Sequence, residues 1–467
     1  MEMHSIFALF LIVFARGDPE VEISEEIKDE LSPELVIEEA NEPRFYAAVI
    51  DAGSTGTRLH LFEFKHSIDG APEPFELLRE IFKEVKPGLS SFADNPVGAA
   101  SSVEILLSHA ISVIPERLVP HTPIILQATA GLRLLPKIEA DEILTHVRQV
   151  VEASGLLLGD EAVGILSGRD EGIFAWFTLN FLTGKLSFIE EDTEDRTAVA
   201  LDLGGGSTQI TFNLQGSYIE GDRSHQVNIF GKEFELYSHS YLGNGLIAAR
   251  LSIASLIDGD DSTLLRTHCL PRGITIEKWK YAGRTFKVFP SEETSFEKCL
   301  EQASHFVENV TKVTKIENLN NLPIFAFSYF YDRGIQVGMV RTEPKTKGGW
   351  IQLRQFRIAA EQACKMKPDE IGSEHWKPWL CMDLTYIYSL LSSGYGLGDE
   401  KNIHLTKKVR DMEVSWALGA GFHLLNSYHK EHFENSNRKN NSSIFNEVVS
   451  YISTKATNVL VFLNLIS

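Results

Sequence analysis

Positive charge is scarce in this sequence. Lysine and arginine number 44 among 467 residues, against 64 aspartates and glutamates, and the formal net charge is −20. A surface of this sign repels a polyanion, which excludes nucleic-acid binding as the main role. A single nucleotide remains acceptable as a ligand, because backbone N–H groups and a metal ion can neutralise a small phosphate locally.

Two common nucleotide-binding signatures are absent. No GxxxxGK[ST] motif occurs in the sequence, so a Walker A loop is excluded. Gly204 and Gly206 are followed by Gln209 where a dinucleotide fingerprint needs its third glycine, so that signature fails as well. A phosphate site in this chain must therefore be built from other elements.

Long apolar runs are also lacking. The run at residues 6–15 is shorter than the roughly 20 apolar residues that cross a bilayer, and it predicts a signal peptide over 1–17. The first five residues carry no positive charge, so an uncleaved anchor is the alternative. No stable membrane span is expected after cleavage. The apolar stretch at 459–466 predicts a tertiary contact or a ragged C-terminus. A signal for a lipid anchor is the weaker alternative.

Cysteine occurs only four times and never as a CxxC pair, which argues against a zinc site. Behind a signal peptide, an even number of cysteines predicts two disulfides. Three pairings are possible, and we expect the nearest neighbours to join, Cys269 with Cys299 and Cys364 with Cys381. Three sequons fit a glycosylated lumenal protein, and they begin at Asn309, Asn440 and Asn441.

From residue 44 onward, strand and helix patterns alternate, which predicts an α/β architecture. The preceding segment, 18–43, is dense in acids and predicts a solvated linker. The chain is too long for one ordinary hydrophobic core, so two or more lobes are expected. The predicted strands are 46–50, 58–64, 123–127, 197–201 and 209–214, and a helix is predicted at 140–154.

One short pattern occurs twice. The sequence DAGSTGT at 51–57 follows one predicted strand, and DLGGGST at 202–208 follows another. Each copy reads as a strand, an Asp-x-Gly turn rich in small hydroxyl residues, and an alternating strand. Alone, either copy would predict a plain hairpin. Two matching copies in the same strand context instead indicate that both turns bind one ligand.

The composition of these turns suits a phosphate ligand. Glycine lets the backbone approach a ligand closely, and successive N–H groups of a tight turn can point at one anion. Serine and threonine hydroxyls add donors, and an aspartate at a strand end can hold a divalent cation. Two turns that face each other would hold one phosphate chain from both sides.

Two further segments carry candidate chemistry. Thr129 lies in a small-residue turn at 128–133, where a simple strand-to-helix connection is the alternative. Glu171 follows Gly168 at a predicted helix start, where it is either a helix-capping acid or a general base. In the second case Ser207 and Gln209 would position the attacking water. Trp416 is either a core residue or part of the site wall.

Together these segments resemble a known family. Residues 51–58, 128–133, 168–172, 201–209 and 416–420 are similar, in order, to the five apyrase conserved regions of the nucleoside triphosphate diphosphohydrolases, or guanosine-diphosphatase and ecto-apyrase family. The match covers about 44–425, and 237–246 is similar to the soluble endoplasmic-reticulum and Golgi branch. The resemblance implies two RNase-H-like lobes of the actin, sugar-kinase and Hsp70 superfamily, with the active site in the cleft between them. It places lobe I at 44–166, completed by 413–430, lobe II at 167–412 and a C-terminal tail at 431–467.

The resemblance also implies residue roles. It makes Glu171 the catalytic base, assisted by Ser207 and Gln209. It implies that the phosphate-binding residues are Ser54, Thr55, Gly56, Thr57, Gly205, Gly206 and Ser207. Asp51, Asp202, Thr129 and Trp416 would organise Ca²⁺ or Mg²⁺, with Mn²⁺ as a further candidate, largely through water. Tyr331 and Tyr386 are the implied base-stacking residues.

The implied substrate is a nucleoside diphosphate, chiefly UDP or GDP, in the lumen of the endoplasmic reticulum or Golgi, or outside the cell after secretion. There such enzymes remove inhibitory UDP left by glycosyl transfer, and we expect a monomer or weak oligomer. Gly56 departs from many cell-surface relatives, which carry histidine there. The alternatives are an exopolyphosphatase-like enzyme and a nucleotide-binding module without turnover.

Overall fold

The structure is a computed structural model that describes residues 44–67, 74–186, 197–214, 223–340 and 348–438, with side chains described up to residue 427. The predicted signal peptide and acidic linker, the sequons at Asn440 and Asn441, and the apolar stretch at 459–466 lie outside the described residues. The predicted C-terminal tail is described only as far as Arg438.

A five-stranded sheet forms first along the chain. Its strands are β1 (Arg44–Ala52), β2 (Thr57–His66), β3 (Phe75–Val85), β4 (Pro123–Ala128) and β5 (Leu157–Ile165). They lie in the order β3-β2-β1-β4-β5. The helices of this region are α1 (Pro96–Val113), α2 (Ala130–Arg133) and α3 (Lys137–Glu152), with 3₁₀ turns at Leu89–Phe92 and Glu116–His121. The strands predicted at 46–50, 58–64 and 123–127 and the helix at 140–154 are confirmed within one to three residues at each end.

Helix α1 is, within the described residues, the one helix long and apolar enough to cross a membrane by length and composition. One face of it carries Val103 and Leu106, which are fully buried in the core of the first sheet. The helix also packs beside α3, whose Ile143 and Val147 belong to the same core. The core contacts account for the apolar residues on this face, whereas Val97 and Ile105 of the same helix are exposed.

Twelve more strands follow within the described residues. They are β6 (Val199–Leu203), β7 (Ser207–Asn213), β8 (Ser224–Ile229), β9 (Lys232–Leu242), β10 (Leu264–Thr267), β11 (Ile276–Tyr281), β12 (Arg284–Pro290), β13 (Ile324–Ser328), β14 (Gly348–Gln352), β15 (Asn402–Thr406), β16 (Lys408–Val409) and β17 (Met412–Glu413). Seven of them form one sheet in the order β14-β15-β13-β6-β7-β9-β8. A small sheet orders as β10-β12-β11, and β16 pairs with β17. The strands predicted at 197–201 and 209–214 correspond to β6 and β7.

Seven further helices accompany these strands among the described residues. They are α4 (Gly168–Leu182), α5 (Leu246–Asp258), α6 (Phe296–His305), α7 (Tyr329–Gln336), α8 (Arg354–Ala363), α9 (Leu380–Ser389) and α10 (Ala417–Arg438). Short 3₁₀ turns lie at Leu319–Asn321, Pro368–Glu370 and Lys377–Trp379, and π turns at Phe306–Val310 and Leu390–Gly394. Both predicted disulfides are present, Cys269–Cys299 and Cys364–Cys381. The first joins the segment after β10 to α6, and the second joins the end of α8 to α9.

The two large sheets repeat one arrangement. In the first, β2 pairs antiparallel with β3, whereas β1, β4 and β5 run parallel. In the second, β6, β7 and β9 pair antiparallel, whereas β6, β13 and β15 run parallel. Helices α4 and α10 contribute to one apolar cluster with residues of both sheets, among them Val49 and Ala200. The central strands β1 and β6 therefore occupy equivalent positions, and each ends in an Asp-x-Gly turn.

Candidate active site

The two Asp-x-Gly turns meet. A β-carbon added to Gly205 would overlap Ser54 Oγ and would lie 3.2 Å from Thr55 Cγ2. Both turns line one cleft of about 600 Å³, to which the first contributes Ser54 and Thr55 and the second contributes Gly204–Ser207. The repeat in the sequence therefore corresponds to two turns in van der Waals contact across a shared cavity.

A third wall comes from the end of β4. A β-carbon at Gly131 would lie 2.9 Å from Ser54 Cα, and one at Gly206 would lie 2.9 Å from Ala130 Cβ. Thr129, which precedes them, is 6% exposed and lines the cleft. Small residues are therefore needed in this segment because both turns pack directly on it.

Two residues predicted to bind phosphate lie behind the cleft lining. Thr57 is the first residue of β2, its side chain is fully buried, and it is not among the residues that line the cleft. A β-carbon at Gly56 would lie 2.8 Å from Glu84 Oε1 and 3.3 Å from the Val85 carbonyl oxygen. This neighbourhood leaves no room for the histidine that many cell-surface relatives carry unless Glu84 moves.

Asp51 and Asp202 lie at the ends of β1 and β6 and are both more than nine-tenths buried. Trp416 lines the cleft beside Asp51 and Ser328 lines it beside Asp202, and each lowers the pKa of the neighbouring carboxyl group. Within the described part of the chain, Asp51 Oδ1 and Asp202 Oδ1 have no hydrogen-bond partner. Buried carboxylate oxygens without a donor are costly, and a hard divalent cation is a fitting partner for them.

Electrostatics point the same way. Burial raises the pKa of Asp202 to about 6, an effect that Ser328 and Arg58 oppose and Asp51 reinforces. Burial also raises the pKa of Asp51, against the influence of Arg58, His60 and Trp416. Two buried acids that disfavour each other's ionisation are stabilised by a cation between or beside them.

Ser328 adopts a backbone conformation that L-residues rarely use, with φ 56° and ψ −127°. It ends β13 beside β6, opposite Leu203, and lines the cleft. Strain of this kind persists only where the surroundings fix it, and here it places the Ser328 side chain against Asp202. The sequence analysis did not identify this residue, because nothing in the local pattern signals the turn.

Glu171 is the fourth residue of α4, a helix capped by the Ser167 side chain, which accepts from the Asp170 N–H. Its carboxylate accepts hydrogen bonds from Arg133 and, at 2.9 Å, from Gln209 Nε2. The same Gln209 nitrogen lies 2.8 Å from Ser207 Oγ. Glu171 lines the cleft, whereas Gln209 lies beneath it, so Gln209 links the carboxylate to the second turn.

Burial raises the pKa of Glu171 to about 8, Arg133 lowers it, and the nearby charges of Asp202 and Asp51 raise it again. A helix-capping acid on the surface would show none of these features. The carboxylate is therefore placed as a basic group inside the cleft, with its charge balanced by one arginine.

The two tyrosines expected to stack on the base, Tyr331 and Tyr386, lie in different surroundings. Tyr331 lines the cleft with a small exposed fraction. Tyr386 does not line the cleft. Its side chain is 1% exposed and points from α9 into the core, where its hydroxyl donates to the Asn244 carbonyl. The expectation that Tyr386 stacks on a base is therefore wrong, because its helix faces the core. Tyr329, Trp279 and Trp376 line the cleft together with Tyr331.

Two glycines outside the repeated motif support the turns from behind. A β-carbon at Gly88 would overlap the Gly53 carbonyl and lie 2.9 Å from the Gly56 nitrogen. A β-carbon at Gly245 would overlap backbone atoms of Gly205, Gly206 and Ser207. Sequence analysis missed both because their partners are about 35 to 40 residues away, a separation at which local patterns carry no signal.

Comparison with known proteins agrees with this geometry. Residues 37–437 match the model of the GDA1/CD39 (nucleoside phosphatase) family. The chain is 41% identical over 443 residues to nucleoside-diphosphatase uda-1 of Caenorhabditis elegans, covering 91% of each chain. It is 39% identical over 391 residues to nucleoside diphosphate phosphatase ENTPD5 of Homo sapiens, covering 82% of this chain and 88% of that one.

A solved structure of nucleoside triphosphate hydrolases from Neospora caninum matches with a TM-score of 0.57 at 15% identity, over 86% of this chain and 97% of that one. At this identity the likeness concerns the fold alone, and it supports the α/β architecture built on two large sheets. The family model and the sequence relatives identify the activity, and they show that the chain belongs to the GDA1/CD39 family of nucleoside phosphatases.

Proposed function

We propose that this nucleoside phosphatase hydrolyses the terminal phosphate of UDP and GDP, with IDP as a further substrate, to the nucleoside monophosphate and phosphate. The observation that carries the proposal is the contact of Gly205 with Ser54, which brings two phosphate-binding turns and two unpartnered carboxylate oxygens to one cavity. The names of the relatives support a diphosphate substrate.

The residues present suggest a division of labour. Backbone N–H groups and hydroxyls of Ser54, Thr55 and Ser207 would bind the terminal phosphate from two sides. Glu171 would accept a proton from the attacking water. Gln209 would fix the positions of the Glu171 and Ser207 side chains, since its Nε2 donates to both. The nucleoside monophosphate leaves as the water oxygen bonds to phosphorus.

The family is one of divalent-cation-dependent phosphatases. We propose that Asp51 and Asp202, with Thr129 and Trp416 nearby, would hold Ca²⁺, Mg²⁺ or Mn²⁺ largely through water. When bound, the cation supplies positive charge to the phosphate oxygens. The unpartnered oxygens of both aspartates support this assignment.

The compartment and domain limits are also proposals. The apolar run at 6–15, the two disulfides and the exposed sequon residue Asn309 support a lumenal enzyme of the endoplasmic reticulum or Golgi, or a secreted one, that clears UDP after glycosyl transfer. We retain lobe limits of 44–166 with 413–430, and 167–412, and a monomer or weak oligomer.

Phosphate release from UDP, GDP and IDP, compared with release from inorganic polyphosphate at equal phosphate concentration, tests the function. We expect turnover of the diphosphates to exceed that of polyphosphate by at least about tenfold. Faster release from polyphosphate would instead identify an exopolyphosphatase-like enzyme. Tight nucleotide binding without release would identify a binding module.

A further inference from the structure

One buried cluster of charge lines the cleft, outside the residues used above. Arg250 donates two hydrogen bonds to Asp383, from Nε to Oδ1 at 2.7 Å and from Nη2 to Oδ2 at 2.6 Å. Arg333 donates from Nε to Asp383 Oδ2 at 2.7 Å. Asp383 is fully buried, and both arginines are more than nine-tenths buried, yet both line the cleft.

The acceptors of this cluster are already occupied. Both oxygens of Asp383 accept from arginine, and Gln336 Oε1 accepts from Arg333 Nη1 at 2.7 Å. A guanidinium has donors and no acceptor, and the remaining polar group of Gln336, which also lines the cleft, is its NH₂. This part of the wall therefore offers hydrogen-bond donors to a ligand.

Aromatic rings surround the donors. The Arg250 guanidinium lies 4.5 Å from the centre of the Trp379 ring, and that of Arg333 lies 5.2 Å from the centre of the Tyr329 ring. Trp279 and Trp376 are half-buried and also line the cleft, and the centre of the Trp279 ring lies 4.8 Å from that of Trp379. Rings beside a fixed set of donors form a site for a flat heterocycle whose edge carries acceptors.

Asp332, one of six carboxylates that line the cleft within the described residues, directly precedes Arg333 in the chain. Its strongest electrostatic interaction is with Lys407, followed by Arg333 and Arg58. Arg58 also interacts with Asp51 at the phosphate-binding turns. Asp332 is therefore an acceptor already held by the positive charges of Lys407 and Arg333.

We propose that Arg333, held in place by Asp383, selects nucleobases that carry a carbonyl oxygen where adenine and cytosine carry an amino group. Guanine and hypoxanthine offer O6 and uracil offers O4 as acceptors, whereas adenine N6 and cytosine N4 are donors. An amino group against the guanidinium would leave two donors facing each other, both desolvated and unpaired. The proposal rests on the nucleoside diphosphatase function and adds the residue that determines which bases the enzyme prefers.

Matched substrate pairs test this choice. IDP and ADP differ at ring position 6, and UDP and CDP at ring position 4, while ribose and phosphates are the same. In the wild-type enzyme we expect kcat/KM to favour IDP over ADP and UDP over CDP by at least about tenfold, since a site that donates to a substrate group discriminates strongly. In Arg333→Gln both ratios should fall below about threefold, chiefly through loss of IDP and UDP turnover.

Asp383 keeps two hydrogen bonds from Arg250 in this variant, so the fold should persist. Arg333→Lys retains the positive charge with a different donor geometry and should keep an intermediate ratio. The matched control is Arg354→Gln, since Arg354 is exposed and pairs with Glu400 away from the cleft lining. Its two substrate ratios should equal those of the wild type.

An equal fall of all four substrates in Arg333→Gln would overturn the proposal and assign Arg333 to the phosphates or ribose. Wild-type ratios near one would overturn it as well, while leaving the nucleoside diphosphatase function intact. Failure of the wild-type enzyme to hydrolyse any of the four nucleotides would instead refute the proposed function.

Discussion

Gly205 of the second Asp-x-Gly turn faces Ser54 of the first so closely that a β-carbon at Gly205 would overlap Ser54 Oγ. The chain brings these residues together from the ends of two different sheets. Gly205→Ala should therefore push the turns apart. Because a shift of about 1 Å at a reacting centre can cost a hundredfold in rate, we expect kcat/KM for UDP to fall by about that factor.

A double-mutant cycle separates this effect from general damage. Ser54→Ala removes the oxygen that an alanine at position 205 would meet, although it also removes a hydroxyl from the phosphate site. In the Ser54→Ala background, Gly205→Ala should cost several-fold less than it does alone. Strictly additive effects on kcat/KM would show that the two side chains do not meet.

Gly245 makes a second prediction, because it supports the same turn from behind. An alanine there would overlap main-chain atoms of Gly205, Gly206 and Ser207, which cannot rotate away as a side chain can. We expect Gly245→Ala to lower kcat/KM for UDP at least tenfold and to destabilise the fold by about 1–3 kcal/mol, measured by steady-state kinetics and denaturant unfolding. Gly398→Ala is the matched control, since no atom lies within 4 Å of its added β-carbon and both quantities should stay at wild-type values.

Glu171→Gln tests the proton acceptor. The amide keeps the size of the carboxylate and can still contact Arg133 and Gln209, but it cannot take a proton from water. Phosphate release should fall by about 10²–10⁴-fold, the usual contribution of a general base, while UDP binding changes little. Calorimetry supplies the binding constant, and Glu142→Gln, on an exposed face of α3, supplies the control. A rate near wild type would remove Glu171 from the reaction.

The pH dependence follows from the same carboxylate. Burial raises the pKa of Glu171 to about 8, and Arg133 acts against this rise. A base works only when ionised, so activity is present above its pKa and is lost as the pH falls through it. Removing Arg133 raises the pKa further, so Arg133→Met should move the acidic limb of the kcat/KM profile to higher pH.

Arg117→Met is the control for this profile, because Arg117 is exposed on the surface of the first lobe. Its acidic limb should coincide with that of the wild type. An Arg133→Met limb that stays in place, with activity lowered equally at every pH, would mean that Arg133 serves only to hold the structure.

The sequence predicted what local patterns encode. The Asp-x-Gly repeat identified both turns, because each lies within a few residues of its own strand, and strand periodicity identified β1, β2, β4, β6 and β7. Similarity to the family motifs placed Tyr386 at the base and Thr57 at the phosphate, but Tyr386 lies in the core and Thr57 is buried behind the cleft lining. A motif match does not say which face of an element meets the cleft. The hydrogen bond between Arg250 and Asp383 joins residues 133 positions apart and was beyond any local pattern.

Cation removal gives the last prediction. Asp51 Oδ1 and Asp202 Oδ1 lack partners in the described structure, and burial raises the pKa of both groups. EDTA should abolish UDP hydrolysis, and Ca²⁺ or Mg²⁺ should restore it. Binding to the folded state alone also stabilises it, by about 2.7 kcal/mol at one hundred times Kd, so Tm should rise on adding the cation. In Asp202→Asn this rise should shrink or vanish, whereas Asp141→Asn, at an exposed position, should retain it. Full hydrolysis in EDTA, with no change in Tm on adding either cation, would refute a metal role for this carboxylate pair.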